Sequence, residues 1–133
     1  MNLPRRALAL LLLLPALALT GCATVHASSE RYIGVPQAPP TNPSSVEILR
    51  KEPTRPHAQV GEVFLSPSPD TSVDSIETAL RTESARLGAD AAVVVHDRTK
   101  RVGTYISGSW WVRYHAPVYS RQVVAVAIRY DRH

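Results

Sequence analysis

The apolar and polar positions divide the chain into three stretches. Residues 7–19 are apolar, interrupted only by Pro15. Residues 23–45 hold few large apolar side chains and carry Pro36, Pro39, Pro40 and Pro43, which oppose helix and central strand alike. From Val46 onward the apolar residues recur with the periods of folded elements. Residues 46–50 (V-E-I-L-R) read as a short strand and residues 60–65 (V-G-E-V-F-L) as a second. Ser66-Pro67-Ser68-Pro69-Asp70 is turn material. A helix follows. Asp70, Thr71 and Ser72 are its candidate caps, and Asp74 and Glu77 sit near its positive end. Val73, Ile76, Leu80 and Leu87, with Ala79 and Ser84, mark one face at helical spacing, Glu77 and Arg81 stand four apart, and Gly88 is placed to end the helix.

Two more strands complete the pattern. Residues 91–96 (A-A-V-V-V-H) form an unbroken apolar run, as in a strand buried on both faces. A strand, a helix and this strand predict a right-handed crossover that leaves the second and third strands parallel. Residues 120–130 are the last strand: Val124, Val126, Ile128 and Tyr130 line one side, and the smaller Val123, Ala125 and Ala127 the other. The expected fold is α+β, a single small sheet of four to five mixed strands with one helix packed on one face, in the order β-β-α-β-β. One helix covers only one side of such a sheet, and both sides of the last strand are apolar, so a second cover is required. Residues 103–119 are the local candidate, with Tyr105, Trp110, Trp111, Tyr114 and Tyr119, five of the eight aromatics in the chain. Either they complete the core as a hairpin, or they remain exposed as a surface for a protein partner, a lipid surface or a glycan.

The first stretch carries the localisation. Arg5 and Arg6 precede an apolar run of 13 residues, the pattern of a secretory signal. As a helix the run would reach roughly 20 Å, against a hydrocarbon core of about 30 Å, so it is too short to be a permanent span. Leu19-Thr20-Gly21-Cys22 then resembles the bacterial lipobox: an aliphatic residue, two small residues and a cysteine. The resemblance implies a diacylglyceryl group on the Cys22 thiol, cleavage between Gly21 and Cys22, and N-acylation of the new amino group. Two or three acyl chains hold a protein on a bilayer where a single one binds reversibly. Cys22 is the only cysteine, so no internal disulfide forms and lipidation leaves no spare thiol. Ala23, rather than Asp, follows it, which points to the outer membrane, with the domain facing the periplasm. Domain organisation is then a signal over residues 1–21, a lipidated cysteine with a flexible Pro-rich tether over 22–45, and an α/β domain over 46–133 with an aromatic insertion at 103–119. A coil of that tether's length spans about 25 to 30 Å.

Charge and candidate chemistry narrow the function little. Of 15 basic residues Arg5 and Arg6 leave with the signal, so 13 remain against 11 acidic ones. No basic run interleaved with aromatics marks a nucleic-acid surface, and an envelope location makes DNA an unsuitable partner. His26, His57, His96, His115 and His133 form no i, i+4 pair. A metal-binding or metal-responsive module would need folding to gather some of them, for instance His96 with His115, together with carboxylates. No G-x-S-x-G or Ser-x-x-Lys motif occurs, Gly103 and Gly108 are too isolated for a phosphate loop, and Asp97 beside Arg98 reads as a strand-end charge pair. The expectation is a non-catalytic binding, structural or sensory module, with no metal and no cofactor beyond the covalent lipid.

Pro40-Thr41-Asn42-Pro43, Val46-Glu47-Ile48-Leu49, Arg55-Pro56 with Val60-Gly61-Glu62-Val63, and Leu87-Gly88-Ala89-Asp90-Ala91 before a Val-rich strand form a series. It resembles a group of small bacterial lipoproteins of unknown function. Through Gly-Ala-Asp-Ala it is more distantly similar to the Rcs stress-sensing outer-membrane lipoprotein and to small pentameric domains once labelled heavy-metal-binding. The resemblance implies a compact α/β domain on a lipid tether and carries no catalytic residue. The Rcs sensor's fold is braced by disulfides, which a chain with one cysteine lacks.

Overall fold

The computed structural model describes residues 24–132. Among the described residues the strands are β1 (Val25–Arg31), β2 (Glu47–Leu49), β3 (His57–Pro67), β4 (Ala91–Ser107) and β5 (Tyr114–Tyr130), with one α-helix, α1 (Val73–Arg86), before β4. They form one sheet in the order β1-β3-β5-β4-β2. β2 and β4 are parallel, and the other neighbours are antiparallel. The α+β class, the mixed sheet and the single helix match the sequence reading. The element order does not: the chain runs β-β-β-α-β-β, because a strand lies inside the stretch expected to be tether. The second and third predicted strands, β3 and β4, do point the same way, but β5 is inserted between them.

The helix forms where the capping chemistry places it. Ser72 is the N-cap, its hydroxyl accepting from the Ser75 N–H, and Asp74 occupies the positive first turn. Gly88 follows the C-cap Leu87 with φ +74°, the left-handed conformation that stops a helix. Ile76, Leu80 and Leu87 turn inward onto Val63, Leu65, Ala92, Val123, Ala125 and Ala127. The small alanines at the middle of β4 and β5 let the helix approach closely. Val73, expected on the same face, is exposed in the first turn, and Glu83 is buried there instead. Its carboxylate is satisfied by the Ser29 hydroxyl of β1 at 2.7 Å and by Arg86. Burial of that carboxylate is tolerated because both partners reach it.

The opposite side of the sheet is covered differently from the expectation. Residues 103–119 do not fold back over it. Ala91, Val93 and Ile128 are buried there with Leu49, Val126 and Tyr130 around them. The cover comes from the segment between β2 and β3: Arg55 stacks its guanidinium 4.3 Å from the centre of the Tyr130 ring. The Tyr130 hydroxyl donates to Glu47 and its N–H donates to Asp90. The run over residues 91–96 is also less buried than its composition predicts. Val95 is an extra residue in β4 where the β4–β5 register shifts, and it is exposed.

The expected flexible tether is largely docked structure. β1 pairs with β3 along its whole length, from Val25 opposite Pro67 to Arg31 opposite Gly61. The prolines that follow carry the chain from the β1 edge of the sheet to the β2 edge, across the end of α1. They lack the N–H a ladder would need, and this crossing requires none. Thr41 fixes it by donating its N–H to Ala85 O and its hydroxyl to Ala89 O at 2.6 Å. A short 3-10 turn, Pro43–Ser45, capped by Asn42, then leads into β2. Polar composition hid β1, which reads V-H-A-S-S-E-R and is held by backbone hydrogen bonds rather than by a large apolar face.

Gly61 is the tightest point of this edge. A Cβ there would stand 2.2 Å from the Glu30 carbonyl oxygen and 3.0 Å from the Arg31 Cα, both backbone atoms that cannot swing aside. Gly61→Ala is expected to destabilise the domain by roughly 1 to 3 kcal/mol in denaturant melts, with β1 amides losing exchange protection first. A second prediction concerns Tyr32, whose hydroxyl donates to Glu62 at 2.8 Å. Burial, and then the hydrogen bond and charge of Glu62, push this phenol up to about 12. A raised pKa contributes stability that is complete below the ordinary phenol value near 10 and is lost as pH climbs through the raised one. The melting temperature should therefore fall between about pH 10 and 12, with that component missing in Tyr32→Phe.

Candidate functional site

β4 and β5 are each 17 residues long, far longer than their neighbours need. β3 accompanies β5 only as far as the Leu65–Val123 pair. Beyond it β4 and β5 pair with each other alone, from Arg98 opposite Gln122 to Ser107 opposite Tyr114. Ten residues of β4 thus leave the sheet as a two-stranded arm about 33 Å long at the usual rise per residue. An isolated two-stranded ribbon is marginal in water. This one is continuous with the two central strands, so its register is imposed from the buried end.

The base of the arm is pinned by charge. Arg121 meets the Asp97 carboxylate with two hydrogen bonds, 2.8 Å from Nε and 2.7 Å from Nη2. Asp97 was expected to pair with its neighbour Arg98. Adjacent strand residues point to opposite faces, so the register selects Arg121 across the ladder instead. The Arg121 hydrogen bond, aided by its charge, holds the Asp97 carboxyl below the usual carboxylate range despite some burial. Further out, Val102 is a second extra residue in β4, which adds twist between body and tip.

The tip carries the residues singled out as a partner surface. Tyr105 and Tyr114 lie on the face of the arm that continues the open side of the sheet. Trp110 and Trp111 lie in the turn, edge to face with ring centres 5.0 Å apart. Gly108, at φ +114°, closes this turn, and a Cβ there would strike the Val112 carbonyl oxygen at 2.1 Å. The expectation that these aromatics complete the core is overturned: Trp110 is 80% exposed, Trp111 67% and Tyr114 69%. Tyr105, Ile106, Val112, Val118 and Tyr119 are exposed with them. The structure therefore gathers Tyr105, Trp110, Trp111 and Tyr114 at one end of the molecule. Cys22 and Gly21 lie outside the described residues, as does His133.

The histidines are not brought together. His115 pairs with Ile106, ten positions along β4 from His96, and on the other face of the ladder. His57 donates from Nδ1 to the Arg55 carbonyl oxygen and meets Glu52 through Nε2. It stands at the rim of a hollow of ≈330 Å³ on the open sheet face, floored by Val93, Val126 and Ile128. Among the described residues no group of three His, Cys, Asp or Glu side chains is placed to hold a metal ion. Among them, too, no helix is long and apolar enough to cross a membrane. No family model, curated protein or solved structure matches the chain.

The Asp97–Arg121 pair predicts an acid-dependent arm. A lowered carboxyl pKa contributes stability that is present above the ordinary carboxylate range and is lost as pH falls through the lowered value. Amide exchange around residues 97–101 and 119–123 should accelerate as pH drops below about 4, after correction for intrinsic exchange. Asp97→Asn should show the loosened base at neutral pH and lose the acid-dependent step.

Proposed function

We propose that this chain is a lipid-anchored bacterial envelope protein, held through acylated Cys22 at the periplasmic side of the outer membrane, and that it acts there as a non-catalytic binding, structural or sensory module. The observation that carries the reading is Leu19-Thr20-Gly21-Cys22 directly after the apolar run of residues 7–19. Two features of the fold support it. The domain begins at β1, immediately after the cysteine, so the anchor feeds straight into the sheet. The exposed Tyr105, Trp110, Trp111 and Tyr114 give the module a contact surface that its own core does not use. The hydroxyls and imidazoles with defined partners serve caps and braces: Ser72 and Ser75 at the helix start, and His57 against Arg55 and Glu52.

Mass spectrometry of the mature N-terminus tests the anchor. The expected product starts at Cys22 with a diacylglyceryl thioether and an acylated amino group, and it fractionates with the outer membrane. Cys22→Ser is expected to remain unlipidated. A wild-type product with a free thiol, or cut at another bond, overturns the reading.

A further inference from the structure

We infer that the tip of the β4–β5 arm is a second membrane contact, which seats Trp110, Trp111 and Tyr114 in the headgroup region of the same anionic bilayer that takes the acyl anchor. The inference rests on the lipoprotein reading for the position of the anchor. Three observations carry it.

The first is placement. Val25 of β1 stands opposite Pro67 of β3, and Leu65 of β3 stands opposite Val123 of β5. The start of β1 is therefore at the end of the sheet from which the arm leaves. Cys22 precedes Val25 by three residues, at most about 11 Å of chain. The 23-residue tether expected from composition would have let the domain float free. With β1 formed, the acyl foot and the arm share one end of the molecule, and the arm tip is the part that reaches furthest from that end. A domain leaning on its anchor brings the tip to the same surface.

The second is charge. Residues 98–130 contain no Asp or Glu. Arg98, Lys100 and Arg113 are exposed and make no ion pair among the described residues, while Arg101 bonds only to Thr104 and the Gly103 carbonyl. The single carboxylate at the base, Asp97, is spent on Arg121. The arm is thus a cationic finger on a nearly neutral mature chain, complementary to anionic headgroups.

The third is the distribution of the apolar groups. Tyr105, Tyr114 and Val118 project from one face of the ribbon, and Ile106 and Tyr119 from the other. Trp110, Trp111 and Val112 occupy the turn. A flat protein surface would engage one face and leave the rest wet. A bilayer interface surrounds an inserted tip on all sides, and it is the environment in which Trp and Tyr rings with flanking cations are most at home.

The chain supplies its own probe, since Trp110 and Trp111 are its only tryptophans. The mature lipidated protein is reconstituted on vesicles of phosphatidylcholine alone or with phosphatidylglycerol, and tryptophan emission and quenching by bromine-labelled lipid are read alongside flotation. The expected result is flotation with both vesicle types, and with anionic vesicles a blue-shifted emission strongly quenched by the labelled lipid. Arg98→Gln/Lys100→Gln/Arg113→Gln should weaken the tip's seating by about fivefold for each cation removed, while its melting temperature is unchanged. Flotation with water-like, unquenched emission overturns the tip contact and leaves the anchor standing. Quenching on anionic vesicles without flotation on neutral ones overturns the anchor and leaves the contact. A blue shift that needs high protein density, or added glycan or envelope protein, and no lipid quenching assigns the tip to another occupant and overturns the inference.

Discussion

The antiparallel ladder between β4 and β5 runs without interruption of its pairing from the centre of the sheet to the tip of the arm, bulging only at Val95 and Val102. At its inner end it is the middle of the sheet, where Ala92, Ala125 and Ala127 are small enough for α1 to sit close. At its outer end the same hydrogen bonds carry ten residues of β4 and nine of β5 into solvent. A free hairpin of that length would spend much of its time unpaired. Here the buried end fixes the register, the Asp97–Arg121 pair clamps the exit, and the arm inherits its geometry from the core. The exposed bulge residues Val95 and Val102 show where the ladder absorbs the change from packed sheet to twisted ribbon.

The two edges of the sheet are secured by less conspicuous means. β1 has little apolar surface, and its attachment relies on backbone pairing with β3, the Ser29–Glu83 and Tyr32–Glu62 hydrogen bonds, and the close approach that Gly61 permits. At the other edge β2 is three residues long and is locked by Tyr130, whose ring lies under Arg55 and whose hydroxyl reaches Glu47. The Pro-rich connection between these edges is a strap over the end of α1. Thr41 pins it there through Ala85 and Ala89.

The proposed anchor is close to this fold, since Cys22 precedes Val25 of β1 by only three residues. On the proposed reading, an acyl group at Cys22 would keep the module against the bilayer surface, and the long cationic, aromatic arm leaves from the end of the sheet where β1 starts. Such an anchor would supply residence on the membrane but no orientation, because a single point of attachment leaves a domain free to turn. A second contact about 30 Å along the body would convert a tethered domain into an oriented one. The open face of the sheet, with Phe64, Val124 and Val126 only partly covered, would then be presented at a defined angle to the periplasm.

Local chemistry made several parts legible in the sequence alone. Ser72 and Gly88 bound the helix, Ile76, Leu80 and Leu87 give its buried stripe, the alternation from Val123 to Tyr130 gives the last strand, and the motif ending in Cys22 gives the proposed anchor. Each of these signals acts over a few residues, through capping, periodicity or a local recognition motif. The five aromatics between residues 103 and 119 stood out as well, but their burial did not follow from their composition. Whether a Trp is core or surface depends on what lies opposite it, and here strand length carries it beyond any partner. β1 was hidden for a related reason: an edge strand is specified by a ladder to a distant segment, so V-H-A-S-S-E-R reads as linker until β3 is beside it. The pairing of Asp97 with Arg121 and the insertion of β5 between β3 and β4 are likewise properties of register. Elements held by local forces can be read from the chain itself, and the pairings emerge only on folding, because hydrogen bonds between remote strands leave no periodic trace in either partner.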